Sequence, residues 1–211
     1  MRQRKVKNET EKLAAVAAWQ VQDPKSLKGR WKELFPGKDL YLELGCGRGH
    51  FLAGHAALHP ENAYVGAEYQ ASVALRALEL IRDRQLPNAL CMIEQVLDLG
   101  EYFEDGELSG IYLNFSDPWP KARHEKRRLT HRRYLEAYGR ALKPGGFVEI
   151  KTDNEDLFAF TLEEIKALEL QLEELSFDLH ASDLPAKNIT TQYEEKFKGL
   201  GKNINYCRIR Y

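Results

Sequence analysis

Cysteine is scarce in this chain of 211 residues: three stand at positions 46, 91 and 207. An odd number so widely spaced makes neither a disulfide framework nor a zinc site, and a reducing cytoplasm suits it best. No apolar run is long enough to span a bilayer. The nearest is Leu13 to Trp19, which leads into Gln20, Gln22 and Asp23 without a convincing small-residue cleavage site, so it reads as part of an N-terminal helix or arm. Nor is there an excess of charge of one sign. The 31 Lys and Arg against 32 Asp and Glu leave a formal net charge of −1, which gives the whole molecule no pull toward phosphate. Repeats and low-complexity tracts are absent. What is present, 43% hydrophobic and 30% charged residues, suffices at this length for one soluble domain around a single core.

The charge is unevenly spread. Arg2, Arg4, Lys5 and Lys7 make the start basic, as does the segment from Lys121 to Arg133, whereas Glu155 to Glu174 is acidic. Residues 1–25 read as a flexible basic arm and residues 26–211 as the folded domain. From Asp39 onward, strand-like apolar runs alternate with helical periodicity, with strands expected near 39–44, 63–68, 89–93, 110–114 and 146–152. One helix buries Val73, Ala74, Ala77, Leu78 and Ile81, and another buries Tyr134, Leu135, Tyr138, Ala141 and Leu142 before Lys143-Pro-Gly-Gly146 stops it. Thr152-Asp-Asn-Glu155 has the pattern of a capping box opening a helix to about Leu170. The alternation of Leu175, Phe177 and Leu179 and the strand-like Asn203 to Arg210 then suggest an antiparallel pair. The class is α/β, a mostly parallel sheet finished by an antiparallel C-terminal strand.

Gly45, Gly47 and Gly49 follow the first strand directly, in Leu40-Tyr-Leu-Glu-Leu-Gly-Cys-Gly-Arg-Gly-His50. Without a Cβ, backbone there can approach a ligand closely. The dinucleotide fingerprint G-x-G-x-x-G fails, because His50 stands at its third glycine position. Glu43-x-Gly45-x-Gly47-x-Gly49 instead resembles motif I of the class I S-adenosylmethionine methyltransferases, which implies their Rossmann-like fold. Glu68, 19 residues after Gly49 at the end of the second strand, is placed to accept hydrogen bonds from ribose hydroxyls. S-adenosylmethionine carries a net positive charge, so Glu43 and Glu68 suit it better than they suit a pyrophosphate.

Asn114-Phe-Ser-Asp-Pro-Trp-Pro-Lys121 ends the fourth strand, at the carboxyl edge where open α/β sheets bind ligands. Burying an aspartate between Phe115 and Trp119 is expensive unless function requires it, so Asp117 is expected to be a buried functional carboxylate. Together with Leu42-Glu-Leu-Gly-Cys-Gly-x-Gly49, Arg123-His-Glu-Lys-Arg-Arg-Leu129, Lys151-Thr-Asp153 and Thr191-x-Tyr-Glu194, this segment makes the chain resemble the bacterial tRNA (guanine-N7-)-methyltransferases from about Gly29 to the C-terminus. The resemblance implies that Glu43, Gly45, Gly47, Glu68 and Asp117 bind S-adenosylmethionine, Asp117 being also the catalytic residue. It implies that Lys121, Asp153, Thr191, Gln192, Tyr193 and Glu194 hold the substrate guanosine. Arg123, His124, Glu125, Lys126, Arg127 and Arg128 would lie against the tRNA, whose target guanosine the family suggests to be in the variable loop. A monomer or homodimer is expected. Relatives commonly place a Gly-Asp-like pair after the third strand to contact the adenine; Glu94 and Gln95 stand there in this chain, and which of them makes that contact is left open.

Guanine N7 has a free lone pair and no proton, so methyl transfer to it needs no general base, and what the protein must supply is orientation. A carboxylate such as Asp117 would stabilise the positive charge that develops on the base. Asp153 or Glu194 would accept from the N1 and N2 hydrogens of guanine. The basic segment next to this strand end reads as a phosphate track, and His124 and His131, which have no second ligand pair, read as polar contacts rather than metal ligands. Two other readings are weighed. A methyltransferase for DNA, protein or a small molecule is permitted by motif I alone, but the amino-group methyltransferases of DNA would need Pro directly after Pro where Asp117-Pro-Trp-Pro120 stands; a tRNA-binding module without activity has only the altered Glu94-Gln95 site in its favour.

Overall fold

The computed structural model describes residues 7–184, 189–191, 194 and 202–211. Eight strands form one sheet: β1 (Gln20–Val21), β2 (Leu40–Leu44), β3 (Ala63–Ala67), β4 (Ala89–Met92), β5 (Leu108–Asn114), β6 (Leu142–Thr152), β7 (Gln171–Ser176) and β8 (Asn205–Arg210), in the order β1-β4-β3-β2-β5-β6-β8-β7. β8 pairs antiparallel with both β6 and β7, and the other pairings are parallel. The helices are α1 (Glu9–Ala14), α2 (Trp31–Leu34), α3 (His50–Leu58), α4 (Ala71–Asp83), α5 (Arg132–Ala141) and α6 (Glu155–Ala167). No described helix is long and apolar enough to cross a membrane.

The strands alternate between two cores. Leu40, Leu42 and Leu44 of β2 face a cluster with Val65, Ile111, Val148 and the helices α5 and α6. Tyr41, Tyr64 and Tyr112 face the other side, against Phe51 and Leu52 of α3 and Ala74, Leu78 and Ile81 of α4. Each fully buried Leu or Ile contributes about 1.5–3 kcal/mol, so a one-residue slip in register would exchange a leucine row for a tyrosine row and lose several such terms. The chain steps outward from β2 through β3 to β4 and then returns to place β5 on the other flank of β2. That reversal opens a crevice at the carboxyl ends of β2 and β5, the topological switch point.

The strands expected near 39–44, 63–68, 89–93, 110–114 and 146–152 are present, as are both helical faces, save that Leu142 opens β6. Four local features differ. The alternation of Leu175, Phe177 and Leu179 is not one strand: β7 ends at Ser176, Phe177 is exposed after it, and Leu179 is buried in a 3-10 turn. The helix after β6 is capped by Asn154, whose Oδ1 accepts from Leu157 N at 2.7 Å, because Thr152 is still inside the strand and its Oγ1 reaches only Asn154 N at 3.1 Å. Lys143-Pro-Gly-Gly146 belongs to β6, which begins at Leu142, since Gly145 N and Gly146 O bond to the backbone of Tyr211. Within the stretch read as an arm, Val16 and Val21 are buried and Gln20–Val21 pair with Cys91–Met92, so apolar contact draws this part onto the sheet edge. Arg2, Arg4 and Lys5 lie outside the described residues.

Candidate active site

The loop after β2 is fastened to β3 by two bonds, Gly45 N and Cys46 N donating to Ala67 O at 2.8 and 3.1 Å. Gly45 and Gly47 take φ of +74° and +56°, and a Cβ on either would meet nothing within 4 Å. They therefore present bare backbone to open space, where L side chains are strained. The third glycine serves packing instead. A Cβ at Gly49 would sit 2.7 Å from Ala77 Cβ, so its absence lets α3 lie close against α4. Above the first two glycines is a cleft of about 820 Å³ whose walls are the ends of β3, β4 and β5 and the loops after them.

Two carboxylates flank the loop. Glu43 is buried in β2 behind the cleft lining, where its Oε1 accepts from Asn114 Nδ2 at 2.9 Å and its Oε2 has no hydrogen-bond partner among the described residues. Burial pushes its carboxyl up to about 7, against the pull of the Asn114 hydrogen bond and the Lys151 charge. Glu68, one residue past β3, lines the cleft and accepts from Gln70 N at 2.9 Å. Burial raises its carboxyl too, opposed by the backbone amides of Gln70, Gly47 and Tyr69, while the neighbouring Asp117 charge adds to the rise.

Asp117 lines the same cleft, and it is exposed. The expectation of a carboxylate buried between two rings is therefore incorrect, and the rings explain why. Phe115 packs toward Leu179, Ile204 and Tyr206, whereas Trp119 lies under Arg127 at 4.9 Å and edge-on to His124 at 5.7 Å. The expense is in the backbone instead: Phe115 and Trp119 hold φ of +52° and +42°, conformations that cost bulky residues about 1–3 kcal/mol each. The loop is tied at its start by Asn114 and by Phe115 N, which donates to Lys151 O at 2.8 Å.

The basic segment divides by environment. Arg123, Lys126, Arg127 and Arg133 line the cleft rim, and Lys121 and Glu125 are exposed without lining it. Arg132 is held by Glu164 in α6, with Nη2 to Oε1 at 2.7 Å. Arg128 turns inward, donating to the carbonyls of Pro118 and Trp119 at 3.1 and 3.2 Å. Five of the seven cations expected to form a phosphate track thus also contact the protein itself: besides Arg128 and Arg132, Arg133 Nη2 donates to Tyr134 Oη at 2.7 Å, Arg127 stacks on Trp119, and Arg123 Nε donates to His124 Nε2 at 3.3 Å.

The residues expected to hold the guanosine are placed unevenly. Asp153 follows β6 at the same edge of the sheet, half-buried, with Lys202 Nζ at 3.4 Å. Thr191 and Glu194 are buried and bond each other reciprocally: Thr191 N donates to Glu194 Oε2 at 2.7 Å and Glu194 N to Thr191 Oγ1 at 3.0 Å. That is the geometry of a capping box, the motif the sequence suggested at Thr152. Glu194 also lies 3.3 Å from Lys151 Nζ, which in turn donates to Ile189 O at 3.1 Å. Lys151 is fully buried, and burial lowers its ammonium despite the acidic neighbours Glu194, Glu149 and Glu43. None of Lys121, Asp153, Thr191 or Glu194 lines the cleft, and Gln192 and Tyr193 lie outside the described residues.

A family model described as "Putative methyltransferase" matches residues 38–207. A tRNA (guanine-N(7)-)-methyltransferase of Lactococcus lactis subsp. cremoris is 44% identical over 214 residues, spanning 100% of this chain and 98% of its own length. One from Streptococcus mutans serotype c, with the same name, is 42% identical and spans 100% of both chains. This chain belongs to the tRNA (guanine-N7-)-methyltransferase family. Solved structures share the fold at low identity: an antibiotic-related methyltransferase has a TM-score of 0.63 at 15% identity over 87% of this chain and 92% of its own. A SAM-dependent methyltransferase from Aquifex aeolicus has a TM-score of 0.55 at 11% identity over 93% and 97%.

For a member of this methyltransferase family the cleft also contains residues that sequence reasoning passed over. Tyr69 and Leu97 are large apolar side chains, 57% and 61% exposed, standing in the cleft with Glu94 and Gln95. Glu94 accepts from Tyr102 Oη at 3.3 Å, and Gln95 is exposed. Their signal was positional: Tyr69 stands two residues past the end of β3 and Leu97 five past the end of β4, on the edge where the glycine loop lies.

Proposed function

We propose that the cleft between the glycine loop and the Asp117 loop is where this S-adenosylmethionine-dependent tRNA (guanine-N7-)-methyltransferase holds its methyl donor and meets the guanine. The observation that carries the reading is the meeting, across one switch-point cleft, of open glycine backbone and an exposed carboxylate under a rim of Arg123, Lys126 and Arg127. Bound there, the donor supplies a methyl group carried on a sulfonium. The residues fit such a cation: Glu68 lines the cleft, and behind the loop Glu43 keeps a buried oxygen with no hydrogen-bond partner among the described residues. In this reading Gly45 and Gly47 give the donor close backbone, Glu68 accepts from its ribose hydroxyls, and Glu94 or Gln95 accepts from its adenine amino group. Exposed Tyr69 and Leu97 offer apolar surface to the adenine ring.

Because guanine N7 has no proton to lose, the protein acts by alignment, and holding nucleophile, methyl and sulfur in line can supply up to ~7–11 kcal/mol. Positive charge grows on the guanine as the bond forms, and Asp117 is the carboxylate on the wall that stabilises it. Asp153, at the same sheet edge, accepts from guanine N1 and N2, an edge that adenine does not offer. Thr191 and Glu194 act through the shape of their segment, with Lys121, Gln192 and Tyr193 completing the guanosine pocket by family resemblance. The exposed cations Arg123, Lys126 and Arg127, with His124 beside them, run along the tRNA backbone. On the same resemblance the target is a guanosine of the variable loop, and the enzyme works as a monomer or homodimer. Three free cysteines support a cytoplasmic setting.

The test is methyl transfer from labelled S-adenosylmethionine into unmodified bulk tRNA followed by nucleoside analysis. Label in 7-methylguanosine with wild type, lost in Asp117→Ala, is the expected result. Label in another nucleoside overturns the N7 assignment, and no label with intact tRNA binding leaves a binding module.

A further inference from the structure

Among Arg123 to Arg128, the last is unlike its neighbours. Arg123, Lys126 and Arg127 are exposed on the cleft rim, but Arg128 is half-buried and does not line the cleft. Its Nε donates to Pro118 O at 3.1 Å and its Nη2 to Trp119 O at 3.2 Å. Its guanidinium lies 4.3 Å from the centre of the Phe160 ring in α6, within the range of a cation–π contact. Its own backbone is fixed on both sides, Arg128 N bonding Glu125 O at 2.9 Å and His131 N bonding Arg128 O at 3.0 Å. The two carbonyls it holds come directly after Asp117, in the part of the loop where Trp119 takes its left-handed φ of +42°.

We propose that Arg128 is a positioning residue for methyl transfer: it clamps the Pro118 and Trp119 carbonyls against α6 and so keeps Asp117 on the cleft wall, rather than reading RNA. The loop is anchored before Asp117 by Asn114 and Phe115, and Arg128 anchors it after. A bulky residue with positive φ relaxes to ordinary backbone unless its surroundings hold it. Arginine suits this place because a planar fork spans two acceptors and stacks on a ring at once, which the point charge of lysine cannot do. Phe160 thereby belongs to the same device, although it stands well outside the motif in sequence.

The inference rests on the methyl-transfer reading of the cleft, and the experiment separates the two. Arg128→Lys keeps the charge but loses the fork, and Arg123→Ala serves as the rim comparison. Turnover, KM for tRNA, the salt dependence of tRNA binding, and the Kd for S-adenosylmethionine by calorimetry are measured, with Tm as the folding check. Arg128→Lys is expected to lower kcat on the order of tenfold to a hundredfold, with KM for tRNA within about twofold and the salt slope unchanged. Arg123→Ala should raise KM and reduce the salt slope by about 1. Unchanged kcat in Arg128→Lys, with raised KM and a flattened slope in Arg128→Ala, is the pattern of a phosphate contact and overturns the proposal. If Arg128 variants do not fold, Phe160→Leu decides, since it removes only the stacking platform: lowered kcat at unchanged KM supports the clamp, and unchanged kcat overturns it. A wild type that forms no 7-methylguanosine fails the functional reading; the clamp is then judged by donor Kd, weaker in Arg128→Lys if it is right and unchanged if it is wrong.

Discussion

Asp117 is exposed on the cleft wall, so its replacement tests chemistry with little disturbance to folding. Asp117→Asn is expected to lower kcat on the order of a hundredfold while Tm by thermal melt stays near wild type, because exposed substitutions change stability by about 0.5 kcal/mol or less; full turnover in a folded variant would sink the charge argument. Glu43 has the opposite character. Its folded carboxyl titrates near 7 against an ordinary value of 4.5, so between those values the folded state binds more protons than the unfolded. Its relative contribution is fully present below pH 4.5 and is lost as pH rises through about 7, up to about 3 kcal/mol in all. Urea unfolding at pH 5 and pH 8 should show a smaller fall in stability for Glu43→Gln than for wild type. The identities of these residues were legible as a motif, but their burial was not. Local sequence could suggest rings around Asp117, and only the positive φ of Phe115 and Trp119, with their distant partners at Ile204 and Arg127, turns those rings away.

At the scale of elements, the Lys151–Glu194 pair ties the segment around Thr191 to β6. Lys151→Met should destabilise by about 3–5 kcal/mol because it leaves Glu194 buried without its cation, and Lys151→Met with Glu194→Leu should recover much of that loss; equal losses in both, by chemical denaturation, would contradict the pairing. Gly49→Ala should cost about 1–3 kcal/mol by the same measurement, from its φ of +74° and the 2.7 Å approach to Ala77. Periodicity was enough to find β2 to β6 and the buried faces of α4 and α5, because period 2 and period 3.6 survive in the sequence wherever one side meets a core. It was less informative at termini. Thr-x-x-Glu occurs as a pattern at 152 and 191, and nothing local says that Thr152 stays in a strand while Thr191 caps. Lys151 lies too far from Glu194 along the chain for spacing to reveal that they pair.

The whole molecule carries a charge of −1, so its attraction for tRNA comes from where the cations stand. Binding measured across salt should weaken with a slope set by the exposed Lys121, Arg123, Lys126 and Arg127, and each removal should reduce that slope by about 1. Removing Arg132, which is held by Glu164, should leave the slope nearly unchanged. The order of the sheet bears on how the protein is made. β7 is synthesised before β8, yet in the sheet it touches only β8, which separates it from β6. On the ribosome, Gln171–Ser176 must therefore wait unpaired through about thirty further residues, which at about 5–20 residues per second is a delay of seconds. During that interval the backbone groups of β7 that β8 will pair stand open, a window in which a chaperone, or a second nascent chain pairing wrongly, competes with β8 for the same hydrogen bonds.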